Sequence, residues 1–304
     1  MNEEVKPPPF NTWKIGWIGI GKMGLPMGRN LQKSGLTVLA YDSDPVRLAD
    51  SGLKPVESLR ELSLDADILV SMIPNDDALR EIVLGKEGVR TGLKPGKLFV
   101  DLSTVSPDAS AECAAALEEN GIEYIRGAVS GSTELAEKAL LTVILSGPAD
   151  AIERCRPMFA AFGSKIHVVG AKEEARYLKL LINTMVAATA AMCAEALVLG
   201  EKGGIEWNRM LDVLADSVVA SPLVKYKLAL LRKRDYTPAF TCNQMLKDLS
   251  LAKEAAQGCG MSLPLLSEVN RLFERAAATG DRELDFFAVL QSVEQSVGID
   301  ASAK

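Results

Sequence analysis

Lys179 is the residue best placed for proton transfer, and it stands four positions before Asn183. On a helix, the two side chains leave the same face. That face otherwise carries Met185, Val186 and small alanines, unusual company for a cation. A partly desolvated ammonium near a carbonyl has its pKa lowered, which suits a group that must give and take a proton. The Asn183 amide could hold either the lysine or a substrate hydroxyl. The same spacing fits a snorkelling lysine at a domain edge beside an exposed asparagine, and spacing alone does not separate the two readings.

A second chemical signature is Gly19-Ile20-Gly21-Lys22-Met23-Gly24, which follows the apolar run Ile15 to Ile18. Gly19 permits a tight turn off a strand. Gly21 lets the backbone approach a pyrophosphate, and Gly24 lets the next helix pack close to the sheet. The diphosphate would rest on free N–H groups at the helix N-terminus. A second strand, Thr37 to Tyr41, ends in Asp42, about twenty residues on, where an acid holds the 2′-hydroxyl of an NAD ribose. Such a carboxylate repels the 2′-phosphate of NADP. Ser43-Asp44-Pro45 offers no arginine to neutralise that phosphate, and Arg47 is five positions on. NAD is therefore expected ahead of NADP. Asp42 could instead, or in addition, cap the following helix.

An absence is equally informative. The chain has one histidine, His167, in the strand-like Lys165-Ile-His-Val-Val169, and it reads as a buried or edge-strand residue. With no second histidine and no paired cysteines, zinc-dependent alcohol oxidation is disfavoured and no metal site is expected. A histidine general base is disfavoured too, although oxidation of a carbinol still needs a group to move the hydroxyl proton. Lysine is the first candidate.

These residues need a scaffold. Strand candidates Ile15–Ile18, Val38–Tyr41, Ile68–Ile73, Leu98–Leu102, Glu123–Arg126, Thr142–Ser146 and Lys165–Val169 alternate with helical segments. The alternation predicts βαβ units and a largely parallel sheet. From Ala171 to Lys202 the chain reads as one long helix, closed by Gly203-Gly204. Helical segments follow near Trp207–Ser217, Leu223–Lys233, Gln244–Gln257, Leu263–Thr279 and Phe286–Val297. The expected architecture is an α/β Rossmann-type dinucleotide-binding domain over 13–170, joined by the long helix to an all-α domain over 171–300.

The 304 residues can hold two domains with sizeable cores. A net charge of −6 argues against nucleic acid or an anionic membrane as the main partner. The apolar run Met185 to Leu199 is broken by Glu195 and reads as too short to span a bilayer. Met1 to Thr12 is acidic and proline-rich, lacks an apolar signal-peptide core, and reads as a mobile leader. The five cysteines show no Cys-x-x-Cys spacing and read as reduced thiols of a cytoplasmic protein.

Gly19 to Gly24 followed by Leu-Pro-Met-Gly28 resembles the fingerprint of the β-hydroxyacid dehydrogenases, the 3-hydroxyisobutyrate dehydrogenase-like family related to 6-phosphogluconate dehydrogenase. The resemblance runs from Lys14 to about Gly298. Ser71-Met72-Ile73-Pro74-Asn75 is similar to the family's cofactor-side loop. Val100 to Pro107 is similar to its Asp-x-Ser-Thr-x-x-Pro signature, which places Ser103 and Thr104 near the nicotinamide half. Val129-Ser130-Gly131-Ser132 is similar to the segment whose backbone amides hold a substrate carboxylate. A run of free amides makes a concave anion site, and Gly131 has no Cβ to block close approach. Lys179 and Asn183 fall on the family's catalytic lysine and its asparagine partner, and Phe240 and Lys247-Asp248 on the element that closes over the site. The resemblance implies hydride transfer between NAD(P) and a small 3-hydroxy acid or its semialdehyde. Lys179 would be general acid/base, a small carboxylic acid the partner, and the assembly a homodimer or homotetramer.

One segment departs from the family. Arg126-Gly-Ala-Val-Ser-Gly-Ser132, then Leu135-Ala136, then Ala139-Leu140-Leu141, stand where the family usually has an acid and three more glycines. The departure implies either an uncommon substrate, with Arg126 a possible second anion contact, or a surface Arg126 that points away. Two other classes stay open. An imine reductase on the same scaffold carries an Asp or Tyr at the lysine position, so Lys179 argues against it. A non-catalytic dinucleotide-binding scaffold would lack the lysine.

Overall fold

The computed structural model describes residues 12–299. Nearly all of the expected leader, and residue 300, lie outside the described residues. The chain divides into two compact units, residues 1–179 and 180–304.

The first unit is built on one eight-stranded sheet. Its strands are β1 (Lys14–Ile18), β2 (Thr37–Tyr41), β3 (Lys54–Pro55), β4 (Ile68–Ser71), β5 (Leu98–Asp101), β6 (Glu123–Ser130), β7 (Leu141–Ser146) and β8 (Gly163–Gly170). Their order is β3-β2-β1-β4-β5-β6-β7-β8, so the first six follow the Rossmann order 3-2-1-4-5-6. The connecting helices are α1 (Gly24–Lys33), α2 (Pro45–Ala49), α3 (Leu59–Asp65), α4 (Asp76–Leu84), α5 (Pro107–Glu118), α6 (Thr133–Glu137) and α7 (Ala149–Ala160).

Strand periodicity sorts the core into two layers. Ile68 and Val70 of β4 pack with Met27 and Leu31 of α1 and Phe159 of α7. Leu69, between them, packs with Leu62 of α3, Leu79 and Val83 of α4, and Cys113 and Leu117 of α5. A sheet covered on both faces explains why its strands read as continuous apolar runs.

Two differences from the expected elements matter later. β6 runs four residues past Arg126, because residues Arg126 to Ser130 pair antiparallel with Ser146 to Thr142 of β7. The sheet is thus parallel except at this one pairing. His167 is exposed on β8, an edge strand.

α8 (Glu174–Lys202) starts in the first unit and continues into the second. The second unit continues with α9 (Trp207–Asp216), α10 (Pro222–Leu231), α11 (Cys242–Gly258), α12 (Pro264–Ala278) and α13 (Val289–Ser296). Ala187, Ala190, Ala191, Ala194 and Leu197 of α8 pack into its core with Met245, Leu249 and Phe273. α11 opens with a reciprocal capping box, in which Thr241 and Gln244 each serve the other's backbone N–H. Contrary to the expectation from the Met185–Leu199 run, α8 is by length and hydropathy able to cross a membrane, with 29 residues and a best 18-residue window of mean hydropathy 1.6.

Candidate active site

The turn after β1 is fixed by packing at two glycines and open at the third. Gly19 has φ +96°, and a Cβ there would lie 2.2 Å from the Met72 carbonyl oxygen. A Cβ on Gly24 would lie 2.0 Å from the Gly19 carbonyl oxygen. That oxygen also accepts from the buried indole of Trp17, Nε1 to O 3.1 Å. A Cβ on Gly21 would meet nothing within 4 Å. Met23, at the N-cap of α1, supplies no side-chain cap. An open glycine before an uncapped helix N-terminus fits a dinucleotide pyrophosphate. Ile20 is buried beneath this turn, Met23 is half-buried and Lys22 is exposed.

Asp42 closes the turn from the side. Its Oδ2 accepts from the Ile20 N–H at 2.6 Å and its Oδ1 from the Asp44 N–H at 2.9 Å. The helix cap is Asp44, which accepts from Val46 N–H at 3.0 Å. A carboxylate offers about four acceptor positions, so two backbone bonds leave room for ribose hydroxyls. Arg47, distant by sequence reasoning, brings its guanidinium to 3.8 Å from Asp42.

At the ends of β4 and β5, Ser71 Oγ and Ser103 Oγ donate to Asp101 Oδ1 at 2.7 and 2.6 Å. Ser103 Oγ in turn accepts from the Ile73 N–H at 2.8 Å. Pro74 is exposed and Thr104 half-buried. Asn75 caps α4, accepting from Ala78 N–H at 2.9 Å, so its side chain has a structural duty.

The other oxygen of Asp101 pairs with Arg176, at 2.7 Å, in an ion pair exposed by no more than 1%. Sequence reasoning passed over Arg176 and Tyr124, and placed Asp101 in a signature without giving it a role. The available signal was an arginine one helical turn before Lys179. Tyr124 OH accepts from Arg176 at 2.8 Å, and burial pushes its phenol well above the usual tyrosine range. It therefore stays a neutral hydroxyl.

Lys179 is half-buried and its Nζ donates to the Val129 carbonyl oxygen at 2.9 Å. The ammonium thus sits at the end of β6, directly before Ser130, Gly131 and Ser132. Gly131 has φ +147°, and a Cβ there would strike Leu141 at 2.7 Å and Leu135 at 3.2 Å. The glycine is required by backbone angle and by the leucines behind it. The open space expected at this position is found at Gly21 instead. Ser132 caps α6 through Leu135 N–H at 3.3 Å. Ala139 keeps a left-handed φ of 58°, a conformation that costs an alanine more than the family's glycine.

Arg126 meets neither expectation set for it. Its Nε donates to Glu173 at 2.9 Å, its guanidinium stacks 4.7 Å from the Tyr124 ring centroid, and it is only 12% exposed. Its charge is already matched.

In the second unit, Asn183 is buried and donates to Asp248 Oδ2. Lys247 Nζ lies 2.9 Å from Asp248 Oδ1. Phe240 packs edge-to-face on Phe286, centroids 6.0 Å apart. Lys179 and Asn183 lie four residues apart on the uninterrupted α8, so both leave one face of that helix.

Comparison with known proteins identifies the family. Residues 14–170 match the family model described as the NAD binding domain of 6-phosphogluconate dehydrogenase. Residues 174–293 match that described as NAD-binding of NADP-dependent 3-hydroxyisobutyrate dehydrogenase. A 2-(hydroxymethyl)glutarate dehydrogenase of Eubacterium barkeri is 31% identical over 95% of this chain and 97% of its own. A 2-hydroxy-3-oxopropionate reductase of Escherichia coli K12 is 30% identical over 92% and 97%. The solved structure of a Mycobacterium tuberculosis 3-hydroxyisobutyrate dehydrogenase with L-serine superposes with a TM-score of 0.83 at 28% identity, covering 93% of this chain and 99% of that one. The chain belongs to the 3-hydroxyisobutyrate dehydrogenase-like β-hydroxyacid dehydrogenases. It is an NAD(P)-dependent oxidoreductase.

Proposed function

We propose that this enzyme interconverts a small 3-hydroxy acid and the corresponding semialdehyde or keto acid, with Lys179 as general acid/base. The observation that carries the reading is the Lys179 ammonium on the Val129 carbonyl, one residue before the Ser130-Gly131-Ser132 backbone. In the oxidation direction the neutral amine takes the hydroxyl proton while the carbinol carbon loses its hydride and becomes a carbonyl. The nicotinamide, when bound, supplies the hydride acceptor. The backbone N–H groups of Ser130, Gly131 and Ser132 hold the substrate carboxylate, and Asn183 steadies the reacting hydroxyl. Asp248 fixes the orientation of Asn183.

The cofactor is held by the turn from Gly19 to Gly24, by Asp42, by the Ile73-Pro74-Asn75 loop, and by Ser103 and Thr104. Asp42 favours NAD over NADP. The enzyme works in the cytoplasm as a homodimer or homotetramer.

The test is a panel of 3-hydroxy acids with NAD and with NADP, run beside the matching amides and followed by nicotinamide absorbance. Turnover of at least one acid, with its amide slower by about a hundredfold or more, is the expected result, because a charge-assisted contact is lost. Equal turnover of an acid and its amide would remove carboxylate recognition by the 130–132 segment.

A further inference from the structure

β5 ends at Asp101, whose partner on β6 is Arg126, but β6 continues for Gly127, Ala128, Val129 and Ser130 without a strand on that side. Two side chains of α8 take carbonyls of this extension. Arg176 Nη1 donates to Gly127 O at 2.7 Å and Lys179 Nζ to Val129 O at 2.9 Å. From i to i+3 a helix advances about 4.5 Å and from i to i+2 a strand about 6.6 Å, a difference of about 2 Å that two long side chains can span to land on alternate carbonyls.

Arg176 does far more than fill a gap. Its guanidinium has five N–H groups in a fixed fork, and each has an acceptor. Nε donates to Ser110 Oγ at 3.1 Å. Nη1 donates to Gly127 O and to Ser103 O at 2.9 Å. Nη2 donates to Asp101 Oδ2 at 2.7 Å and Tyr124 OH at 2.8 Å. Through Asp101 and Ser103 the same network reaches the Ile73 N–H. One buried group therefore ties the loops after β4 and β5 to the β6 extension and to the helix turn that carries Lys179.

We propose that Arg176 is a positioning residue for the hydride-transfer reaction. It acts through Lys179, fixing where the ammonium stands along the β6 extension relative to the loops at Ile73 and Ser103. The proposal rests on Lys179 as the proton-transfer group. A lysine at 176 keeps the charge toward Asp101 but has three donors on a flexible stem and cannot serve five acceptors.

The test is a double-mutant cycle on the full-length enzyme, using a 3-hydroxy acid turned over in the panel above. Arg176→Lys is expected to lower kcat by about 10- to 100-fold, the scale of a small misplacement of a reacting group. Kd for the cofactor, by calorimetry, should stay within about twofold. In a Lys179→Ala background the same Arg176 change should alter kcat by less than about twofold, because the group it positions is gone. A purely structural role would lower the unfolding temperature and leave kcat of the folded enzyme unchanged. The proposal is overturned by wild-type kcat in Arg176→Lys, or by equal losses in the two backgrounds. A Lys179→Ala enzyme with wild-type kcat overturns the proton-transfer reading itself, and is recognised without any Arg176 variant. Should Arg176→Lys fail to fold, Tyr124→Phe removes a single acceptor. It is expected to lower kcat about three- to tenfold with the same non-additivity, and wild-type kcat there overturns the proposal.

Discussion

Each unit buries one cation against one aspartate, and the two pairs are built differently. Arg176 and Asp101 in the first unit form the centre of a polar network that ends at loop backbones and one helical turn from Lys179. Lys227 in the second unit grips both oxygens of Asp285 at 2.7 Å. Around it stand Phe286, Tyr226 and Phe287, with ring centroids at 4.6, 5.3 and 5.5 Å. A planar fork distributes charge over many acceptors in several elements. A point charge in an aromatic box closes on one partner. The first arrangement sets relative positions, and the second staples α10 to the segment before α13. Burial alone does not tell a reaction-positioning ion pair from a structural one, but what lies at the far end of its hydrogen bonds does.

That contrast is broken most severely at the lysine itself. Lys179→Ala should cost about 10²–10⁴ in kcat, the usual worth of a positioned proton-transfer group, with cofactor affinity nearly unchanged. Steady-state rates beside calorimetric binding decide it, and a variant with half the original kcat defeats the assignment. Lys227→Met should do the reverse. It leaves Asp285 buried and unmatched, which costs about 3–5 kcal/mol of stability, while kcat per folded molecule stays as it was. Urea unfolding gives the first number and the assay below the transition the second. A loss of kcat in the folded Lys227 variant would erase the distinction between the pairs.

Asp42→Ala comes next, with NAD binding weaker by about 1.5–3 kcal/mol for a lost charge-assisted bond. NADP should gain ground relative to NAD, since Arg47 is released from its contact with Asp42. If the intact enzyme already prefers NADP, Asp42 serves only to hold the Ile20 and Asp44 N–H groups. The smallest effect is on thiol labelling. Burial pushes Cys113, Cys155 and Cys242 up to about 12, so at pH 8 only about 10⁻⁴ of each is thiolate. Cys259 is exposed and should label first, followed by mass spectrometry of the digest. Their labelling should rise as pH rises toward 12, and Lys227→Met should expose Cys242 before Cys155. Equal acceleration at both would mean that the staple stabilises the two units alike.

Much of this was legible along the chain because the signals are local. The glycine turn, the strand ending in Asp42 and the i, i+4 pair on a long helix need only neighbours within a turn or a βα unit. What escaped is non-local. Arg176 meets its acceptors across 49 to 75 residues, and no pattern near Arg176 announces them. β6 looked four residues shorter because Gly127 and Ala128 have weak strand propensity, which pairing with β7 overrides. Arg126 looked available because its partner, Glu173, is 47 positions away. Asn75 and Ser132 were read for ligand contact, yet their types at helix N-termini were sufficient to suggest caps.

The Trp17 indole, donating to the Gly19 carbonyl, makes the cofactor turn an optical sensor of its own state. Indole emission overlaps the absorption of a reduced nicotinamide, so a reduced dinucleotide seated on Gly21 would quench Trp17 by energy transfer. Of the other two tryptophans, Trp207 lies in the second unit with the Arg234 guanidinium 3.9 Å from its ring centroid, and Trp13 precedes β1. Titration of the Trp17→Phe variant against the parent would therefore give the Trp17 share of the signal by difference, beside that of Trp13 in the same core cluster, and occupancy could be followed in real time without any label.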